Sequence, residues 1–162
     1  MALCITFVAM SSLELKVPPP AVALLFGFLM WLVTSRVASV EVPLGARLAV
    51  ALLFASIGLV FGVSAMVSFS RERTTMNPTK PAASSSLVIT GPFRFTRNPM
   101  YLSLLLYLLA WAVYLSNFVA VLFLPVFVLY INQFQIKPEE RVLFSLFGPE
   151  YAEYRERVRR WL

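Results

Sequence analysis

The residue types able to do chemistry concentrate in two short stretches, LVITGPFRFTRNPMY at Leu87–Tyr101 and PEERVLFSLFGPEYAEYRERV at Pro138–Val158. Both combine charge, turn formers and aromatic rings, and both lie directly against a long apolar run. The first supplies Arg94, Arg97, Asn98 and Tyr101, and the second supplies Glu139 and Glu140. Guanidinium groups, an amide, a phenol and paired carboxylates gathered at one place suit a ligand that is zwitterionic or cationic. Asn98-Pro99 also reads as an ordinary helix start, with Asn capping free N–H groups and Pro in the first turn. That simpler reading accounts for two residues and leaves the clustering of the others unexplained.

What the chain lacks narrows the chemistry further. It has no histidine and no aspartate, and Cys4 is its single cysteine. Histidine zinc sites, Ser-His-Asp triads, cysteine metal clusters and an intrachain disulfide are therefore excluded, and no metal is expected. The net charge of +6 could suggest nucleic acid. No basic stripe with interleaved aromatics stands apart from the apolar runs, however, so nucleic acid is not an expected partner. A 162-residue chain that is 59% hydrophobic exceeds what a soluble domain of this size can bury. The bilayer must be part of its solvent.

The elements that must position the chemistry are apolar helices. The chain reads as one all-α integral membrane domain, 1–162, of about four transmembrane helices and a C-terminal amphipathic segment that closes over the site. Residues 1–18 form an N-terminal segment, 19–70 the first two spans and 71–98 a cytoplasmic loop. Residues 99–134 form a helical hairpin, and 135–162 the C-terminal helices. Met10 offers an alternative start, so residues 1–9 are expected to be structurally idle. The first span, from about Pro19 to Thr34, is short for a bilayer and needs extension towards Ser39 with Arg36 snorkelling. The second, about Leu44 to Ser70, carries Gly58 and Gly62 as a small-residue face, for packing within the protomer or for a homodimer.

From Asn98 to Ile136 there is no charged residue, and Leu115-Ser116-Asn117 is the polar break where a tight hairpin is expected. Pro125 should kink the fourth span. Arg71, Arg73, Lys80, Arg94 and Arg97 crowd the central loop, and six further Lys and Arg follow Ile136. By the positive-inside rule, both termini should be cytoplasmic. The tail divides at Gly148-Pro149. Val142, Leu143, Leu146 and Phe147 share one face before that break. Tyr151, Tyr154, Val158 and Trp161 form a stripe after it, opposite Glu153–Arg157 and Glu156–Arg160 pairs. Such a helix lies on a membrane or folds back over the core.

GPFRFTRNPMY followed by PEE and then FGPEYAEYRERV resembles the isoprenylcysteine carboxyl methyltransferases and their phospholipid methyltransferase relatives. The resemblance covers about Thr74 to Leu162, and RTTMNPTKPAASSSLVITG upstream is similar to bacterial members. It implies an integral enzyme of the bacterial cytoplasmic membrane that uses S-adenosylmethionine (SAM). Position by position, it places cofactor contacts on Ser85, Ser86, Leu87 and Val88, and on Phe93, where Tyr is common in the family. The histidine of the family's Arg-His-Pro falls on Asn98, its Tyr on Tyr101, and its acidic contact on Glu139, with Glu140 beside it. Asn98, Tyr101 and Glu139 are thereby the expected catalytic residues. An arginine that eukaryotic members place near the substrate carboxylate has no counterpart, since the matching region reads Asn132-Gln133-Phe134-Gln135. Gln133 and Gln135 would then orient a neutral or phenolic acceptor, and Arg141 or Arg97 would hold a carboxylate one.

No glycine-rich strand-to-helix turn of soluble SAM enzymes is present, so helices and loops must hold the cofactor. Its sulfonium suits aromatic faces, its ammonium Glu139 or Glu140, and its carboxylate Arg94 or Arg97. Methyl transfer needs alignment more than acid–base help, which a chain without His or Asp can provide. The expected function is methyl transfer to a small lipophilic acceptor. The alternatives are a non-catalytic membrane scaffold of the same fold and a nicotinamide-dependent membrane reductase relative.

Overall fold

A computed structural model describes residues 14–72 and 86–162, and its described residues contain helices and no strand. The helices are α1 (Pro19–Thr34), α2 (Leu44–Arg71), α3 (Pro99–Leu115), α4 (Phe118–Ile131) and α5 (Lys137–Arg157). A 3-10 turn, Gly91–Arg94, precedes α3, and one π-helical turn, Asn132–Ile136, joins α4 to α5. Residues 1–9, Ser85, Arg73 and Lys80 lie outside the described residues.

Among the described residues, two helices are long and apolar enough to cross a bilayer: α2 and the continuous Phe118–Arg157 run. In the latter the apolar part ends at Ile136, and the sequence from Lys137 onward is charged. The helices α1 and α3 are apolar but shorter. The outside of the bundle is apolar. Leu52, Leu53, Leu59, Val60 and Val63 of α2 are exposed, as are Leu24, Phe28 and Trp31 of α1 and Leu122, Val126 and Leu129 of α4.

The extension of α1 towards Ser39 does not occur. Thr34 Oγ1 donates to Met30 O at 2.7 Å and Ser35 Oγ to Leu32 O at 2.8 Å, and the helix stops before Arg36. Hydroxyls bonding back to the preceding turn compete with helix continuation.

The α3–α4 hairpin turns at Ser116-Asn117, where Ser116 adopts the left-handed region (φ 51°) and Asn117 accepts from Val119 N–H at 2.9 Å. Ser116 Oγ donates to Val40 O at 2.8 Å, Val40 N–H donates to Ser116 O at 2.7 Å, and the Asn117 amide donates to Val37 O and Ala38 O. These bonds tie the hairpin turn to the α1–α2 loop at one end of the bundle. The loop before α3 and the tail therefore meet at the opposite end.

The α2 and α3 helices pair through the small-residue face. Ser103 Oγ donates to Gly58 O at 2.7 Å, and a Cβ at Gly62 would come within 2.9 Å of that same Oγ. The glycine face is thus packed against α3 within the protomer, the first of the two uses expected for Gly58 and Gly62. The α1 helix packs on α3 and α4, around Met30, Phe127 and Ile131.

The tail folds back over the bundle. Gly148 (φ +48°) breaks α5 internally, and beyond it Tyr151 and Tyr154 pack with Ala65, Val88 and Phe93. Leu143 and Phe147 join that cluster, whereas Leu146, expected on the same face, is exposed.

Candidate active site

The segment before α3 is shaped by one glycine and one amide. Gly91 has φ +60°, and a Cβ there would sit 2.6 Å from Ser68 Oγ, so a side chain is excluded by both backbone and space. The 3-10 turn that follows seats Phe93 edge-on against Phe69 of α2, with ring centroids 5.4 Å apart. Tyr154 OH donates to Phe93 O at 2.8 Å, so α5 holds the turn from the other side. Asn98 is the residue before α3, but its side chain makes no cap bond. Its amide instead donates to Arg160 O at 2.9 Å, and Thr96 Oγ1 accepts from Asn98 N–H at 3.2 Å. The helix-cap reading of Asn98 gives way to a tertiary one: the amide ties the start of α3 to the C-terminal segment.

Between these parts lies a cavity of about 750 Å³. Its polar end is lined by Arg97, Asn98, Tyr101, Glu139, Glu140, Tyr151 and Tyr154, and Ser86, Leu87, Val88 and Phe93 also face it. Its apolar end is lined by Leu59, Val63 and Met66 of α2, Leu104 and Tyr107 of α3, and Pro18–Pro20. A second, largely apolar trough shares Pro20, Leu104 and Tyr107 with it and continues over Leu24, Phe28 and Trp31 to Leu108 and Trp111.

The two glutamates have different surroundings. Tyr101 OH donates to Glu139 Oε1 inside the cavity. Loss of water around the Glu139 carboxyl pushes its pKa up to about 8; the Tyr101 hydrogen bond works against this and the nearby Glu140 works with it. Glu140 is bound by arginines. Arg160 donates to both its oxygens, at 3.1 and 2.6 Å, and Arg97 Nη2 reaches it at 3.2 Å. That pairing raises the already high pKa of Arg160. Burial raises the hydroxyl of Tyr151 to about 12 and that of Tyr154 further, so both stay neutral donors at physiological pH.

Arg97 is the cation on the cavity wall among the described residues. Its side chain is 11% exposed, and its Nε and Nη1 are buried with no hydrogen-bond partner among the described residues. Buried donors of a charged group are costly to leave unmade.

Four residues expected at the site are elsewhere. Arg94 projects to solvent from the 3-10 turn. Gln133 accepts from Lys137 Nζ at 2.8 Å on the outside of the π-helical turn. Gln135 is fully buried but donates to Val17 O at 2.8 Å, away from the cavity lining. Arg141 pairs with Glu14 at 2.5 Å on the surface. None of Gln133, Gln135 and Arg141 lines the cavity: the two glutamines lie on the π-helical turn, and the N-terminal segment engages Gln135 through Val17 and Arg141 through Glu14. Arg160, expected to pair with Glu156, instead braces Glu140. Tyr151 and Tyr154 lay within an apolar stripe that carried no sign of a polar site beneath it.

The family model of the phospholipid methyltransferases matches residues 46–150, and the chain belongs to this family of membrane methyltransferases, which takes in isoprenylcysteine methyltransferases. It is 30% identical over 108 residues to a protein-S-isoprenylcysteine O-methyltransferase of Schizosaccharomyces pombe, a match covering 67% of this chain and 46% of that one. It is 59% identical over 63 residues, 39% of this chain, to the whole of an uncharacterized protein of Haemophilus influenzae. No solved structure matches the chain.

Proposed function

We propose that this protein moves a methyl group from SAM to a small lipophilic acceptor at the edge of the membrane. The observation that carries the reading is the cavity itself. At one end, the Arg97 guanidinium, the Glu139 carboxyl and the rings of Phe93, Tyr151 and Tyr154 meet, and at the other the wall is mostly apolar. Arg97 would hold the cofactor carboxylate, Glu139 its ammonium, and the aromatic faces its sulfonium. When bound, SAM would supply the methyl: the acceptor's lone pair would form the new bond as the carbon–sulfur pair returned to sulfur, giving a neutral thioether, and the proton of an O–H, S–H or N–H acceptor would pass to water. The chain's own contribution is alignment, with Tyr101 fixing Glu139 and the α2–α3 pair fixing the cavity wall.

The acceptor enters from the apolar end, and the trough floored by α3 seats its chain. With Arg97 committed to the cofactor, no second cation lines the cavity among the described residues to hold an acceptor carboxylate. An O, S or N nucleophile on a neutral head group therefore fits better than a prenylcysteine carboxylate. The short α1 and α3 complete a four-span bundle, with the polar end of the cavity and both termini on the cytoplasmic side, where the basic residues gather.

Titration of detergent-solubilised protein with SAM and with NADPH separates the readings. SAM should bind and NADPH should not, whereas the reverse favours the reductase alternative. Labelled SAM should then transfer methyl to a component of a membrane lipid extract in preference to prenylcysteine. Efficient labelling of prenylcysteine alone would overturn the acceptor assignment.

A further inference from the structure

Arg160 bonds to the carboxylate beside Arg97 and to residues on either side of it in the chain. Its Nε and Nη2 grip both oxygens of Glu140, at 3.1 and 2.6 Å. Its main-chain carbonyl accepts from Thr96 Oγ1 at 3.1 Å and from the Asn98 amide at 2.9 Å. The neighbouring Arg159 carbonyl accepts from Arg97 N–H at 2.9 Å. One short segment thus fixes both the backbone that carries Arg97 and the carboxylate against which Arg97 rests.

The charge balance matters as much as the contacts. Two guanidinium groups share one carboxylate, so the Arg97–Glu140–Arg160 cluster keeps a net positive charge. Arg160 takes the fork position on Glu140, and Arg97 is left with one end-on contact through Nη2 at 3.2 Å. Its Nε and Nη1 therefore remain buried and uncommitted among the described residues. Without the Arg160 guanidinium, Glu140 would be free to take Arg97 side-on, the geometry that Arg and carboxylate prefer. The pair would then be neutral, and the two unpartnered donors would turn to Glu140.

We infer that Arg160 is a positioning residue: it occupies Glu140 so that Arg97 stays available to bind the carboxylate of the cofactor. This rests on the reading that the cavity takes SAM. Arg160 itself touches no part of the ligand. Its effect should be confined to the carboxylate, because Glu139, Tyr101 and the aromatic rings do not depend on it.

The test compares SAM with decarboxylated SAM, which keeps the ammonium and sulfonium but lacks the carboxylate. Wild-type protein in detergent should prefer SAM by roughly ten- to hundredfold, the worth of a charge-assisted hydrogen bond. Arg160→Gln keeps the main-chain carbonyl and should bring that preference close to unity, with affinity for decarboxylated SAM unchanged. Arg160→Lys, which restores charge on Glu140, should recover much of the preference and covers the case in which the glutamine variant does not fold. A wild-type preference retained in Arg160→Gln, or an equal loss of affinity for both compounds, would overturn the inference while leaving the cofactor reading intact. Wild-type protein that binds neither compound would refute the cofactor reading, and this inference with it.

Discussion

Replacing Glu139 with glutamine should change how cofactor affinity depends on pH, and the structure allows the size of the change to be worked out. The Glu139 carboxyl is raised to about 8, chiefly by burial, while Tyr101 keeps a hydrogen bond on it. Only its ionised form can pair with the cofactor's ammonium, whose own pKa as an α-amino group lies near 7.8. The product of the two fractions rises roughly twentyfold from pH 6 to pH 8 and falls again above about pH 8. Wild-type affinity for SAM should therefore peak near pH 8. In Glu139→Gln it should follow the ammonium alone, falling only about two- to threefold from pH 6 to pH 8. At pH 8, where half the wild-type carboxyl is ionised, the variant should bind roughly five- to fiftyfold more weakly. At pH 6 the two proteins should bind about equally, or the variant better. Isothermal titration in detergent at half-unit pH steps gives both curves. A flat wild-type profile, or a rising profile kept by the variant, would refute the assignment of Glu139 to the ammonium.

The same carboxyl should shape the stability of the free protein. Its folded pKa lies above the ordinary value of 4.5, so the folded state holds the extra proton, and stability should fall as pH rises from about 4.5 to about 8. Thermal unfolding across that range should show the decline in wild type, and a smaller one in Glu139→Gln. Gly91→Ala should lower the unfolding midpoint, because alanine at φ +60° costs about 1–2 kcal/mol and its Cβ would strike Ser68 Oγ. Adding Ser68→Ala should recover the clash and leave the backbone cost, and a double variant no better than the single one would contradict this geometry. In a Cys4→Ser background, single cysteines at Arg94 and Phe118, both exposed, should label from opposite faces of sealed vesicles. Labelling from one face would end the four-span arrangement.

Much of this was legible before the structure, because much of it is local. The length and apolarity of α2, the polar break at Ser116-Asn117 and the helix break at Gly148 follow from residue types acting on their own neighbourhoods. So does the placement of two polar segments beside apolar runs, which marked Arg97, Asn98, Tyr101 and Glu139. Local signals ran out where side chains choose among distant partners. Arg94 and Arg97 look alike in sequence, yet the 3-10 turn sends one to solvent and the other into the wall. Glu139 and Glu140 are adjacent, yet helical geometry turns one towards Tyr101 and the other towards two arginines. Asn98 had a sufficient local role as a cap and was claimed instead by a carbonyl 62 residues away. Gln133 and Gln135 were aligned by analogy to a substrate contact, and in the fold they bond to Lys137 and to the Val17 carbonyl. The amino-acid sequence by itself determined which segments are helical, which are apolar and which end of the bundle carries the charge. Only the tertiary structure decided which of those charges face the cavity and which hold the others in place, because that choice depends on backbone carbonyls and counter-charges that the fold brings from far along the chain.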